Sequence, residues 1–141
     1  NTEMYIVKVR PHPILSLQSA LDIFNLRLNE QFIISEGSLE DDLIWADVVL
    51  YASSTVGMQA VSGGIPAIHL DLGEFLDTDP MFDWDDFKWS AKAPEALVDH
   101  IKQIDALSDE HFTTLQLNSK SYVDQYLSPV SDEALKLFLA V

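Results

Sequence analysis

The sequence predicts an α/β fold, a parallel sheet with helices on both faces and a helical carboxyl-terminal tail. Three observations predict it. Short apolar runs rich in β-branched residues alternate with segments of helical period, which calls for parallel strands joined by crossover helices. The run Val48–Tyr51 passes through Ser53-Ser54-Thr55 into a helical segment closed by Gly63-Gly64, and a second apolar run, Ala67–Leu70, follows Pro66. Beyond Ala93 the pattern is helical almost throughout.

The elements follow in order. Met4–Val9 is a strand by its β-branched and aromatic content, and Arg10-Pro11-His12-Pro13 ends it because proline gives the ladder no donor. Leu17, Leu21, Phe24 and Leu28 recur at helical spacing, which predicts a helix over 16–28. Gln31–Ser35 is a short strand and Gly37 a turn. Ser38 with Asp41 three residues later resembles a capping box, opening a helix over 39–46 with Leu39, Leu43 and Ala46 turned inward. The stretch 71–86 is acidic and aromatic without a clean period and reads as a long surface loop. Residues 87–89 suggest one more short strand. Pro94 in a first turn opens a helix marked by Leu97, Ile101 and Ile104. Ser108 caps another, running to about residue 126, with Phe112, Leu115, Tyr122 and Val123 as core candidates. A final helix starts at Ser131.

Composition narrows the functions. With 141 residues and 48% apolar content the chain can bury a core, and it reads as a single domain over 1–141. The net charge of −15 repels a phosphate backbone, so no nucleic-acid partner is expected. The absence of cysteine excludes disulfides, thiolate metal sites and a cysteine nucleophile. No apolar run reaches the ~20 residues of a transmembrane segment, and no signal-peptide pattern stands at the start. The chain opens at Asn1 and enters a strand almost at once, which reads as a piece of a longer protein.

Ligands of parallel α/β sheets sit outside the carboxyl ends of the strands. The residues to weigh there are Arg10 and His12, then Glu36, Gly37 and Ser38, then Ser53, Ser54, Thr55 and Gly57. The hydroxyl turn offers donors to a phosphate, and Gly57 lets a ligand approach the backbone. Ordinary N-capping, worth about 1 kcal/mol, is the competing reading. Three consecutive hydroxyls with glycine two residues on exceed what a cap needs. The prolines around His12 hold its backbone extended, so its imidazole would have a fixed direction for donating to a phosphate or protonating a leaving group. Arg10 would pair with an anion. Taken alone, this stretch reads more readily as a polar strand end, and Gln59 as a solvated glutamine. Gly63 and Gly64 are explained as a helix C-cap. The acidic loop lacks the spacing of a calcium loop, and His69, on a buried strand, reads as a core histidine.

VRPHP followed by ADVVLYASSTVGMQAVSGGIPAI resembles the donor-binding half of a GT-B glycosyltransferase. It is most similar to bacterial transferases of surface polysaccharides, which pair an HP motif with an SS or ST motif. The resemblance covers Met4–Leu72 and implies a Rossmann-like domain that binds a CMP-, CDP- or UDP-linked sugar donor. It implies that His12 meets the donor phosphate or assists departure of the nucleotide, and that Ser53, Ser54 and Thr55 hold the phosphate. It further implies that the Ser35–Ser38 loop meets the base, and that Gln59 stands where many relatives place a glutamate for the donor sugar. It implies a glycan acceptor, a missing amino-terminal domain, no metal or other cofactor, and a cytoplasmic enzyme working at the inner face of the membrane through the rest of its chain. The domain by itself is expected to be inactive. Two other readings stand beside this one: a sugar-nucleotide epimerase of similar architecture, and a non-catalytic nucleotide-binding or interaction module.

Overall fold

The computed structural model describes residues 5–11, 14, 16–23, 25–73, 78–127 and 130–139. The chain divides into two compact units, residues 1–45 and 46–141.

The first unit holds β1 (Val7–Val9), α1 (Leu17–Ile23), β2 (Phe32–Ile34) and α2 (Leu39–Trp45). β1 and β2 pair in parallel, Val7 opposite Phe32 and Val9 opposite Ile34. The helix expected over 16–28 stops at Ile23, because Asn25 turns left-handed at φ 50°. The Leu26 N–H then donates to the Leu21 carbonyl and the Asn25 N–H to that of Asp22, the Schellman pattern that closes a helix. The capping box of α2 is present in both directions. The Asp41 N–H donates to Ser38 Oγ and the Ser38 N–H to Asp41 Oδ2, each at 3.1 Å. No described residue of this unit is fully buried; Leu39 and Leu43 are half-buried, as is Ala46, which begins the second unit.

The second unit contains β3 (Val49–Tyr51), α3 (Val56–Ser62), β4 (Ala67–Leu70), β5 (Lys88–Ala91), α4 (Pro94–Asp105), α5 (Asp109–Val123) and α6 (Asp132–Phe138). Its strands lie in the order β3-β4-β5, all parallel, so their carboxyl ends share one edge. Alternation along β4 sorts the core into two layers. Ala67 packs with Tyr51, Met58, Val61, Tyr122 and Val123 from β3, α3 and α5. Ile68 and Leu70 pack with Leu97, Ile101 and Ile104 of α4 on the opposite face. The fold is therefore Rossmann-like α/β, with helices on both faces of this sheet and a helix at its carboxyl-terminal end. Each fully buried side chain, such as Ile68 or Phe87, contributes about 1.5–3 kcal/mol.

α3 ends as its glycines demand. Gly64 sits at φ 81°, the Ile65 N–H reaches the Ala60 carbonyl, and Gln116 Nε2 of α5 donates to the Gly64 carbonyl at 3.0 Å. The helix capped by Ser108 is also formed, the Ser108 hydroxyl accepting from the His111 N–H.

The stretch after β4 differs from a plain surface loop. Asp79 and Met81 are buried, and Trp84 lies flat on Tyr122 of α5, ring centroids 4.4 Å apart. Trp84 follows no strand or helix period because it packs onto α5, whereas Phe82 stays exposed. Phe87 adopts φ 59°, a left-handed value that few large residues take. The ring is held edge-on against Phe112, centroids 4.9 Å apart.

Candidate functional site

The carboxyl edge of the second unit's sheet is built around the turn between β3 and α3. Ser53, Ser54 and Thr55 are all exposed there. Ser53 Oγ shares a 2.7 Å hydrogen bond with Thr78 Oγ1. Ser54 Oγ accepts a long 3.3 Å bond from the Val56 N–H. Thr55 is the N-cap residue of α3, yet its side chain makes no capping bond. Capping thus accounts for one of the three hydroxyls, and weakly.

Gly57 is buried at the start of α3 for a packing reason. A Cβ there would lie 2.6–2.8 Å from atoms of the Tyr51 ring. The glycine lets α3 settle directly on that ring, which in turn sets the height of the hydroxyl turn. Gln59 is exposed on α3.

Beneath the turn lies a buried polar cluster. Asp79 accepts from the Tyr51 hydroxyl at 2.8 Å, the Met81 N–H at 2.9 Å and Lys88 Nζ at 2.8 Å. Lys88 also donates to the Met81 carbonyl at 2.9 Å. His69 Nδ1 stands 3.7 Å from Asp79 Oδ2, and the His69 and Tyr51 ring centroids are 5.3 Å apart. Desolvation works against the Asp79 carboxylate, but Lys88, the Met81 N–H and Tyr51 outweigh it and hold the carboxyl below its ordinary value. Farther along the same edge, Lys92 lies 3.5 Å from Asp71, whose carboxylate also accepts from the Gly73 N–H.

No family model, curated protein or solved structure matches the chain.

In the first unit Arg10 is committed to its own neighbours. Its Nε donates to Asp42 Oδ2 at 2.6 Å, and its Nη2 donates to Ser35 Oγ at 3.1 Å and the Gly37 carbonyl at 2.5 Å. Ser35 Oγ donates to the same Asp42 oxygen at 2.5 Å, and Lys8 Nζ lies 3.4 Å from Asp42. Lys8 also stands over the Trp45 ring, 4.3 Å from its centroid. Burial raises the Asp42 carboxyl, and Ser35, Arg10 and Lys8 together bring it below its ordinary value. Arg10 therefore ties the end of β1 to the Ser35–Ser38 loop and to α2. Glu36, Gly37 and Ser38 are exposed in that loop. His12 and Pro13 lie outside the described residues.

The structure thus gathers Ser53, Ser54, Thr55 and Gly57 in one turn, and joins Arg10 to the Gly37–Ser38 loop. The residues that sequence reasoning passed over are Tyr51, Thr78, Asp79 and Lys88. One signal for them was legible: a lysine within the apolar run FKWSA, a position that stays buried only if an anion meets it. Among the described residues no cluster of three or more histidines and carboxylates could hold a metal ion. None of the described helices is long and apolar enough to cross a membrane. Chemically, the edge offers hydroxyl donors to a small anionic ligand, while Lys92 there is already paired with Asp71.

Proposed function

We propose that this chain is the donor-binding domain of a GT-B-type glycosyltransferase, which holds a CMP-, CDP- or UDP-linked sugar for transfer to a bacterial surface polysaccharide such as a capsule. The observation that carries the reading is the exposed Ser53–Thr55 turn on the carboxyl edge of a parallel sheet, its hydroxyls little used for capping the helix that follows. An α/β sheet binds its ligands at that edge. Hydroxyl donors at the donor's phosphate would stabilise the charge that grows as the nucleotide departs. His12 takes the leaving-group role on its sequence motif, and Arg10 serves by holding the Ser35–Ser38 loop. An acceptor-binding domain and a cytoplasmic location belong to the same proposal.

Calorimetric titration of the parent protein with CMP-, CDP- and UDP-sugars tests it. One of the three is expected to bind, and Ser54→Ala with Thr55→Ala to weaken that binding about tenfold, the loss of one or two hydrogen bonds to a charged group. Absence of binding by all three donors rejects the reading. Conversion of the donor sugar without any acceptor would mark an epimerase instead.

A further inference from the structure

Thr78 meets the hydroxyl turn from outside it. It comes from the segment after β4 and shares a hydrogen bond with Ser53 Oγ across 25 positions of chain. The next residue, Asp79, is the centre of the buried cluster. Tyr51, two residues before Ser53, donates its hydroxyl to Asp79, and Lys88 closes the cluster from β5. One buried carboxylate therefore fixes both sides of the Ser53–Thr78 contact: Tyr51 on the strand that leads into the turn, and the backbone next to Thr78 on the segment facing it. A serine hydroxyl on an exposed turn ordinarily samples all three rotamers. Here its partner is delivered by a rigid, desolvated anchor.

We infer that Thr78 is a positioning residue of the phosphate-binding turn, orienting the Ser53 hydroxyl while the Tyr51–Asp79–Lys88 cluster holds Thr78 in place. The inference rests on the nucleotide-binding reading above. Its chemistry is preorganisation: a hydroxyl held in its bound direction loses less freedom when the phosphate arrives. Thr78 need not touch the ligand, so its effect should run through Ser53.

The experiment is a double-mutant cycle read by calorimetry with CMP, CDP and UDP, on the full chain. Thr78→Val keeps the shape and removes the hydroxyl. It is expected to weaken binding of the preferred nucleotide about fivefold at an unchanged melting temperature, and Thr78→Ser to restore it. In a Ser53→Ala background, Thr78→Val is expected to change nothing further. Amide exchange at residues 53–55 should quicken in Thr78→Val, a readout that needs no ligand. Equal binding by wild type and Thr78→Val overturns the inference and leaves the nucleotide-binding reading standing, as does a Thr78→Val effect that survives in Ser53→Ala. Failure of the wild type to bind any of the three nucleotides is a different result, which overturns both.

Discussion

Replacing Lys88 by methionine tests whether the buried cluster organises the second unit. Methionine has nearly the length and volume of the lysine stem, so packing is retained and only the charge and its two hydrogen bonds go. The change removes the Lys88 ammonium from the Asp79 carboxylate, which is 2% exposed and still accepts from the Met81 N–H and the Tyr51 hydroxyl. Breaking one side of a buried pair costs about 3–5 kcal/mol. The donors that remain place the expected cost at the lower end, about 3 kcal/mol, or about 10 °C in Tm for a chain of this size. Urea unfolding followed by tryptophan fluorescence reads it directly, since Trp84 and Trp89 both pack against the same core. Adding Asp79→Asn to the lysine variant removes the buried carboxylate charge and is expected to recover at least half of the loss. A single variant within about 1 kcal/mol of wild type would refute the reasoning, because losses that small belong to exposed pairs. So would a double variant no more stable than the single one.

Two further outcomes follow from the same geometry. Gly57→Ala drives a methyl into a Tyr51 ring that its own hydroxyl ties to Asp79, so a loss of about 1–3 kcal/mol is expected by thermal melting. Asp42 and Asp79 both have folded-state carboxyls held below their ordinary value. The unfolded chain binds those protons first as pH falls, so their stabilisation is full above that value and is lost below it as the folded carboxyls titrate. Stability measured against pH should fall below about 4 and fall less steeply in Asp79→Asn, and an unchanged acid limb in that variant would count against the assignment.

Where local chemistry alone decides an element, the residues announced it. The capping box at Ser38 and Asp41, the Gly64 stop and the strand Ala67–Leu70 all stand where the sequence placed them. The end of α1 was missed because the apolar spacing runs on to Leu28 while Asn25 turns the backbone left-handed. Periodicity reports which face is apolar; it does not report where the chain stops being helical. The stretch after β4 was missed for a complementary reason. Its buried members, Asp79 and Met81, owe their burial to partners on β3, β5 and α5, and no window of sequence contains those partners together. Of the candidate site, the hydroxyl turn was visible as composition. The use of Gly57 was not, since it depends on a ring six residues away that lies under the helix. Arg10 was visible as a cation, but its neighbours Ser35, Gly37 and Asp42 only meet it once β1 and β2 pair.

The Asp79–Lys88 contact also bears on how the chain reaches this arrangement. Pairing β5 with β4 requires closing the whole segment from Leu70 to Lys88, and the entropy of closure must be met before the ladder forms. Asp79 and Lys88 are only 9 positions apart. A hydrogen-bonded knot between them can form within the segment while it is still open, shortening the excursion left to close. The charges would be drawn together early, in water, and desolvated only as Met81 and Phe87 are covered by α5. The second unit would then assemble from a local hairpin-like loop outward, with the parallel register of β5 arriving last.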